Sequence, residues 1–186
     1  MKLHTIIVST RPGRVGPTIG KWFNDFAGTH GKFEAALIDL AEFNLPLFDE
    51  PRHPRLRDYQ HEHTKKWSAS VHAADAFAFV TPEYNYNPPP SFVNSLNYVV
   101  HEWAYKPCGF VSYGGVSGGL RAAQTAKLLI KSLKMMPSPE GVPIPMFSQM
   151  IAEDKVFKPN DLVTASAKTM LEELARWASA LKPLRA

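Results

Sequence analysis

Short apolar runs alternate with longer amphipathic stretches from one end of the chain to the other. Leu3 to Ser9 is continuous and rich in β-branched residues, which suits a strand buried on both faces, and it is too short for a helix. Ile19, Trp22, Phe23 and Phe26 then recur at i, i+3, i+4 and i+7, which predicts an amphipathic helix closing near Gly28. Further strands are expected at Phe33 to Leu40, Ala76 to Val80 and Gly109 to Ser112. Helices are expected through Tyr59, His63, Trp67 and Val71, and from Ser91 with Phe92, Leu96, Val99 and Trp103 on one side. Two more are expected, at Leu120 to Met135 and at the end of the chain, where Val163, Ala167, Met170, Leu171, Leu174, Ala178 and Leu181 repeat. A fifth strand must lie in the Pro-rich segment "PSPEGVPIPMF".

Alternating strands and helices of these lengths imply βαβ units, because parallel strands need a helical crossover. The expected fold is therefore α/β and doubly wound, a parallel sheet of about five strands in the order 2-1-3-4-5 with helices on both faces. The 186 residues, 45% hydrophobic, fit one domain over 1–186 with a substantial core. In such a sheet ligands bind beyond the carboxyl ends of the strands, where the winding reverses. Three unusual loops follow the first, third and fourth strands: "STRPGRVGP", "TPEYNYNPPP" and "SYGGVSGG". Stiff, polar, aromatic or Gly-rich segments are costly at the ends of buried strands, and their convergence there points to a ligand site.

The first loop offers the Ser9 and Thr18 hydroxyls, Arg11, Arg14 and the free N–H groups of a helix beginning near Pro17, a combination that matches a phosphate. It is not a Walker A loop: Val15 stands where a glycine is needed before Gly20-Lys21, and Trp22 follows. No Gly-x-Gly-x-x-Gly occurs in the first turn either, so Asp39 reads as a strand-end residue rather than a ribose ligand. In the second loop Tyr84, Asn85, Tyr86 and Asn87 supply planar and amide groups, on backbone held by Pro82 and by Pro88 to Pro90, and such a wall suits a flat heteroaromatic ring. The third loop carries four glycines between Gly114 and Gly119, which permit close backbone approach.

With these motifs in this order, the chain resembles the NADPH-dependent FMN reductases of the flavodoxin-like superfamily, which also includes quinone, azo-dye and chromate reductases. The resemblance rests on "STRPGRVGPTIGKWF", "IDLAEFNLPLFDEP", "PEYNYNPPPSFVNSLN" and "YGGVSGGLRAAQ". It implies that Ser9, Arg11, Val15, Gly16, Pro17 and Thr18 surround the phosphate of FMN. Pro82, Glu83, Tyr84, Asn85 and Tyr86 would meet the isoalloxazine, and Gly114, Gly115 and Ser117 would close its far edge. In the second loop Pro90, Val93 and Asn97 replace a glycine, a lysine and an aspartate common in that family. The implied activity is hydride transfer from NADPH or NADH through bound FMN to a small acceptor by a ping-pong mechanism. The acceptor classes are a quinone, a flavin, an azo compound or a metal oxyanion. No protein acid or base is demanded, so no catalytic side chain is assigned. Arg14, Arg52, Arg55, Arg57 and Arg121 are candidates for the 2′-phosphate of NADPH. The resemblance also implies a homodimer or homotetramer, for which the aromatic-rich "NYVVHEWAYKP", with Trp103 and Tyr105, offers a mating surface.

Two other readings compete with the reductase. One is a flavodoxin-type electron carrier, but such carriers are strongly acidic and this chain carries +4. The other is a flavin-free domain that binds a phosphorylated metabolite. The basic residues are interleaved with acidic ones and form no run that would track nucleic acid. The N-terminus lacks a signal-like apolar region and no stretch has membrane length, so a soluble cytoplasmic protein is expected. The single Cys108 excludes an internal disulfide and is expected to be buried and inert. His61 and His63 in "HEHT" are expected on different sides of a helix, about 200° apart, and so to be solvated rather than metal ligands. Ser117 lacks the Gly-x-Ser-x-Gly setting of a hydrolase nucleophile.

Overall fold

The computed structural model describes residues 1–185. Six strands are present: β1 (Lys2–Ile7), β2 (Glu34–Asp39), β3 (Ala76–Pro82), β4 (Pro107–Tyr113), β5 (Met136–Pro137) and β6 (Val142–Ile144). All pairings are parallel, in the order β2-β1-β3-β4-β5, with β6 also paired to β4. The helices are α1 (Gly16–His30), α2 (Glu62–Ala73), α3 (Pro90–Asn97), α4 (Leu120–Lys131) and α5 (Asp161–Leu181). Among the described residues no helix is long and apolar enough to cross a membrane.

The layering follows from residue size along β3. Ala76, Ala78 and Val80 face one side, where the small residues leave room for Ile19 and Phe23 of α1 and Met170 and Leu174 of α5. Phe77 and Phe79 face the other side and build an aromatic core with Trp67 of α2, Phe92 of α3, Phe110 of β4 and Trp103. Each of these rings is at most 2% exposed, and full burial of one stabilises the fold by roughly 1.5–3 kcal/mol.

The strands and helices differ from the sequence expectation mainly at their ends. The fifth strand is divided: β5 pairs with Pro107 and Cys108 at the start of β4, and β6 pairs with Val111 to Tyr113 at its end. Pro137, Pro139 and Pro143 have no N–H to give, so the ladder breaks between the two pieces. Tyr59 lies ahead of α2 instead of within it. The third helix stops at Asn97, and Trp103 reaches the core from a short 3-10 turn, His101–Trp103. Trp103 is 0% exposed, and Tyr98 and Val99 are also buried, so Trp103, expected at a subunit contact, is core in this chain, whereas Tyr105 is partly buried.

The expectation for "HEHT" is corrected as well. α2 begins at Glu62, which leaves His61 in extended backbone, so the helical angle between the two histidines does not apply. Their rings stack 5.1 Å apart and both turn to Asp49: His63 Nε2 lies 3.0 Å from Oδ1, and His61 Nε2 lies 3.3 Å from the Asp49 carbonyl oxygen. With Tyr98 donating to the same carboxylate at 2.9 Å, they tie the long loop after β2 to α2 and α3. Cys108 is buried as expected, and burial pushes its thiol pKa up.

Candidate active site

The carboxyl ends of β1, β3 and β4 bring the three loops together. Beyond β1, the Val8 N–H donates to Val80 O at 3.2 Å, which carries the chain alongside β3 to buried Ser9. The Ser9 hydroxyl lies 3.1 Å from the Tyr84 hydroxyl, so the first and second loops touch at their roots. The first loop then turns through Thr10 to Val15 and enters α1, where Pro17 sits in the first turn and its missing N–H costs nothing. Gly16 is required by close approach: a Cβ there would lie 2.9 Å from Ile7 Cγ2 and 3.2 Å from the Tyr113 hydroxyl. Among the described residues the N–H groups of Arg11, Gly13 and Val15 donate to no protein acceptor, and exposed Arg11 has no ion-pair partner. Thr18 is partly buried one turn into the helix, beside a cavity of about 460 Å³ that runs under Trp22 to Phe157. That cavity is largely apolar and lies on the outer side of α1. A second one, of about 410 Å³, lies between Thr10 and Asn94 on the other side of the first loop.

The second loop is a tight turn. Tyr84 and Asn87 exchange both backbone hydrogen bonds at 2.9 Å, and the two residues between them have positive φ, 50° at Asn85 and 67° at Tyr86. That is the geometry of a type I′ turn, which asparagine tolerates and tyrosine seldom occupies. Tyr86 is held from outside: the Arg121 guanidinium lies 4.0 Å above its ring, and the Thr125 hydroxyl reaches its carbonyl oxygen at 3.4 Å. Asn85 is exposed at the tip. Pro90 starts α3, a position at which the absent N–H is an orphan in any residue, so the exchange of glycine for proline leaves the helix start intact. Val93 and Asn97 lie on the exposed side of α3.

The third loop divides its glycines between two tasks. At Gly119, φ is 76° and a Cβ would stand 2.8 Å from Tyr113 N, so only glycine fits. Gly115 has nothing within 4 Å of its Cβ position and lies open, and the N–H groups of Gly115 and Val116 find no protein acceptor among the described residues. Gly114 lies between them, donating to Ile144 O at 3.3 Å. The Ser117 hydroxyl shapes the loops: it donates to Glu83 Oε2 at 3.1 Å and accepts the Gly119 N–H at 3.3 Å.

Glu83 is the joint of the site. Its side chain, 8% exposed, receives Arg121 Nε and Nη2 at 2.7 Å, the Arg121 backbone N–H at 3.2 Å and the Ser117 hydroxyl. A carboxylate at the start of α4 with this many donors fixes the second loop against the third. Pro82, just ahead of it, is the last residue of β3 and is buried.

The structure also answers for the arginines. Arg14 pairs with Asp39, whose other oxygen caps the turn after β2 by accepting the Ala41 N–H at 3.0 Å. Arg52 pairs with Asp58 at 2.9 Å and Arg121 with Glu83. The Arg55 carbonyl oxygen lies 3.0 Å from His101 Nε2, and Arg57 lines a cavity with Asp75 and Lys106, both at the other edge of the sheet. None of the five stands free at the three loops. Sequence reasoning missed Tyr113, the last residue of β4, whose hydroxyl backs the start of α1. Burial raises its pKa, Tyr84 beside it acts in the same direction, and Arg11 and Arg14 oppose. Its place in the quoted "SYGGVSGG" was the available signal.

Comparison with known proteins agrees with this fold. The family profile for NADPH-dependent FMN reductase matches residues 1–149. An NAD(P)H-dependent FMN reductase of Schizosaccharomyces pombe is 39% identical over 140 residues, 74% of this chain and 70% of that protein. One from Saccharomyces cerevisiae is 31% identical over 168 residues, 84% of this chain and 87% of that protein. Among solved structures, the flavoenzyme NAD(P)H:(acceptor) oxidoreductase FerB from Paracoccus denitrificans superposes with a TM-score of 0.76 at 19% identity, covering 96% of this chain and 97% of that one, which shows the shared flavodoxin-like fold. The chain therefore belongs to the NADPH-dependent FMN reductase family, enzymes that use FMN as cofactor and NAD(P)H as electron donor.

Proposed function

We propose that the three loops hold FMN and that an NAD(P)H donor and a small acceptor use its open face in turn. The observation that carries this reading is the set of unspent donors on the first loop. Among the described residues Arg11 has no carboxylate, and the N–H groups of Arg11, Gly13 and Val15 have no acceptor, at the start of a helix whose dipole favours an anion. Ser9, Val15, Gly16, Pro17 and Thr18 would complete the phosphate turn. Pro82, Glu83, Tyr84, Asn85 and Tyr86 would form one wall of the ring site, and Gly114, Gly115 and Ser117 the other.

FMN bound there supplies the redox chemistry, accepting hydride from a nicotinamide and passing electrons to an acceptor. The chain itself binds, orients and excludes. Arg121 and Ser117 occupy the Glu83 carboxylate, and burial keeps the Tyr113 hydroxyl protonated, so neither is free for proton transfer. The open amides of Gly115 and Val116 can donate to the polar edge of a ring, which tunes it without any proton leaving the protein. We assign the acceptor to quinones, free flavins, azo compounds or metal oxyanions, and the functional unit to a cytoplasmic homodimer or homotetramer formed by the whole chain as one domain. Exposed Leu47, Leu56 and Val93, at 84%, 65% and 36%, support self-association in place of Trp103.

The test is anaerobic stopped-flow spectroscopy of the FMN-loaded protein. NADPH or NADH alone should bleach the flavin within one turnover, and a quinone added afterwards should restore it with no further nicotinamide. Steady-state double-reciprocal plots should be parallel. Bound FMN that neither nicotinamide bleaches would leave an electron carrier in place of a reductase.

A further inference from the structure

A cavity of about 570 Å³ opens at the opposite edge of the sheet from the three loops. Strands of six or seven residues set the two edges roughly 20 Å apart. The residues immediately ahead of β3 and β4, Asp75 and Lys106, line this cavity, and Arg57, Lys182 and Arg185 complete its wall with Glu102. We propose that it is a second ligand site, separate from the flavin loops, that takes a small phosphate monoester bearing a hydroxyl group.

The balance of charge is the first support. Among the described residues four lysine and arginine side chains line the cavity against two carboxylates, and both carboxylates are already engaged. Asp75 holds Arg185 at 2.9 Å and the Lys2 backbone N–H at 2.8 Å. Glu102 Oε1 accepts from Tyr59 at 2.9 Å and from Ser68 at 2.7 Å. Arg57 and Lys182 have no ion-pair partner among the described residues.

The second support is the set of donors and acceptors left over. Lys106 is 5% exposed, and its Nζ donates to the carbonyl oxygens of Val71 and His72 at 2.8 and 2.9 Å. An ammonium has three N–H groups, and the third is met by no oxygen among the described residues, with the Phe77 ring centroid 5.6 Å from Nζ. Burial and the neighbouring Arg185 hold the pKa of Lys106 down to about 8, the mark of a cation short of an anion. Glu102 Oε2, in a residue 7% exposed, has no hydrogen-bond partner. A dianionic phosphate would answer the surplus cations, and a hydroxyl on the same molecule would answer Glu102. His72 and His101 line the same cavity. The volume falls within the range typical of small-molecule sites.

The test uses the FMN-saturated protein, so that the first loop cannot hold the probe, and titrates it with glycerol 3-phosphate at low ionic strength by calorimetry. Saturable one-to-one binding is expected, tighter than that of inorganic phosphate. The Arg57→Ala/Lys182→Ala double variant removes only exposed side chains and should weaken binding about tenfold or more while leaving flavin content unchanged. In an NMR titration the Lys106 ammonium should lose its proton at higher pH when the ligand is present. The proposal is overturned by an absence of saturable binding, by binding that the double variant leaves intact, or by binding seen only in FMN-free protein. Because the probe is read by heat and not by flavin reduction, its failure is independent of whether the three loops turn over NAD(P)H.

Discussion

Strand β3 has a carboxylate at each end, and each meets an arginine. Glu83, just past its carboxyl end, holds Arg121 from 38 residues away, and the guanidinium is half exposed and lies on the Tyr86 ring. Asp75, just ahead of its amino end, holds Arg185 from 110 residues away. That guanidinium is 15% exposed and also donates to Tyr105 O at 2.9 Å and to the Asp75 carbonyl oxygen at 3.0 Å. One pair braces the second loop against the third. The other fastens the end of the chain to the sheet. The same chemistry serves opposite needs because its partners differ: an open turn in the first case, buried backbone carbonyls in the second.

Arg185→Ala should give the largest effect on stability, on the order of 3 kcal/mol, because it strips a partly buried carboxylate and the carbonyl oxygens of Asp75, Tyr105 and Ala178 of a donor. Chemical denaturation would read this, and FMN affinity should not change. The same pair sets an acid limit. Burial alone would raise the Asp75 pKa, but the Lys2 N–H and Arg185 outweigh it and hold it below its ordinary value. Its stabilising contribution is therefore complete above that value and lost as pH falls through the lower native one, and Asp75→Asn should flatten stability in that window.

Arg11→Ala should do the reverse. FMN affinity should fall about tenfold to a hundredfold, the equivalent of roughly 1.5–3 kcal/mol, while unfolding moves by less than about 0.5 kcal/mol. Unchanged affinity would move the phosphate away from the first loop. Arg121→Ala lies between the two, at about 1–2 kcal/mol of stability, since solvent reaches half of the lost side chain. It should also slow flavin bleaching by NADPH, and Arg121→Lys should restore stability better than rate, because lysine cannot both fork to Glu83 and lie flat on Tyr86. Equal effects on both measurements would show that the pair is structural at both ends of β3. Asn85→Ala should give the smallest change, about 1 kcal/mol or less from its left-handed backbone, with bleaching slowed more than folding is weakened.

Much of this contrast could not be read from sequence. The strand order and the three converging loops were legible because β3 writes its two faces directly as Ala-Phe-Ala-Phe-Val, and because prolines and glycines cluster where the chain leaves β1, β3 and β4. Arg11 was legible as an arginine in a turn ahead of a helix. Its neighbour Arg14 looked equivalent, but it is spent on Asp39, 25 residues on, a pairing no local pattern records. Glu83 was read as a ring contact, whereas its donors come from Ser117 and Arg121. Asp49 joined to His61 and His63 escaped for a related reason: the relevant angle was that of a helix which starts one residue later than the histidine pair requires.

The interrupted fifth strand bears on how copies of this protein can meet. A long, flat outer strand offers a row of unpaired amides that a neighbour's strand can zip onto, the usual start of sheet-to-sheet aggregation. Here the outer row is broken into pieces of two and three residues, with prolines at 137, 139, 143 and 145. Neither piece is long enough to template a partner. Growth of the sheet from molecule to molecule is closed off on that side, which leaves β2 as the one edge strand of full length among the described residues.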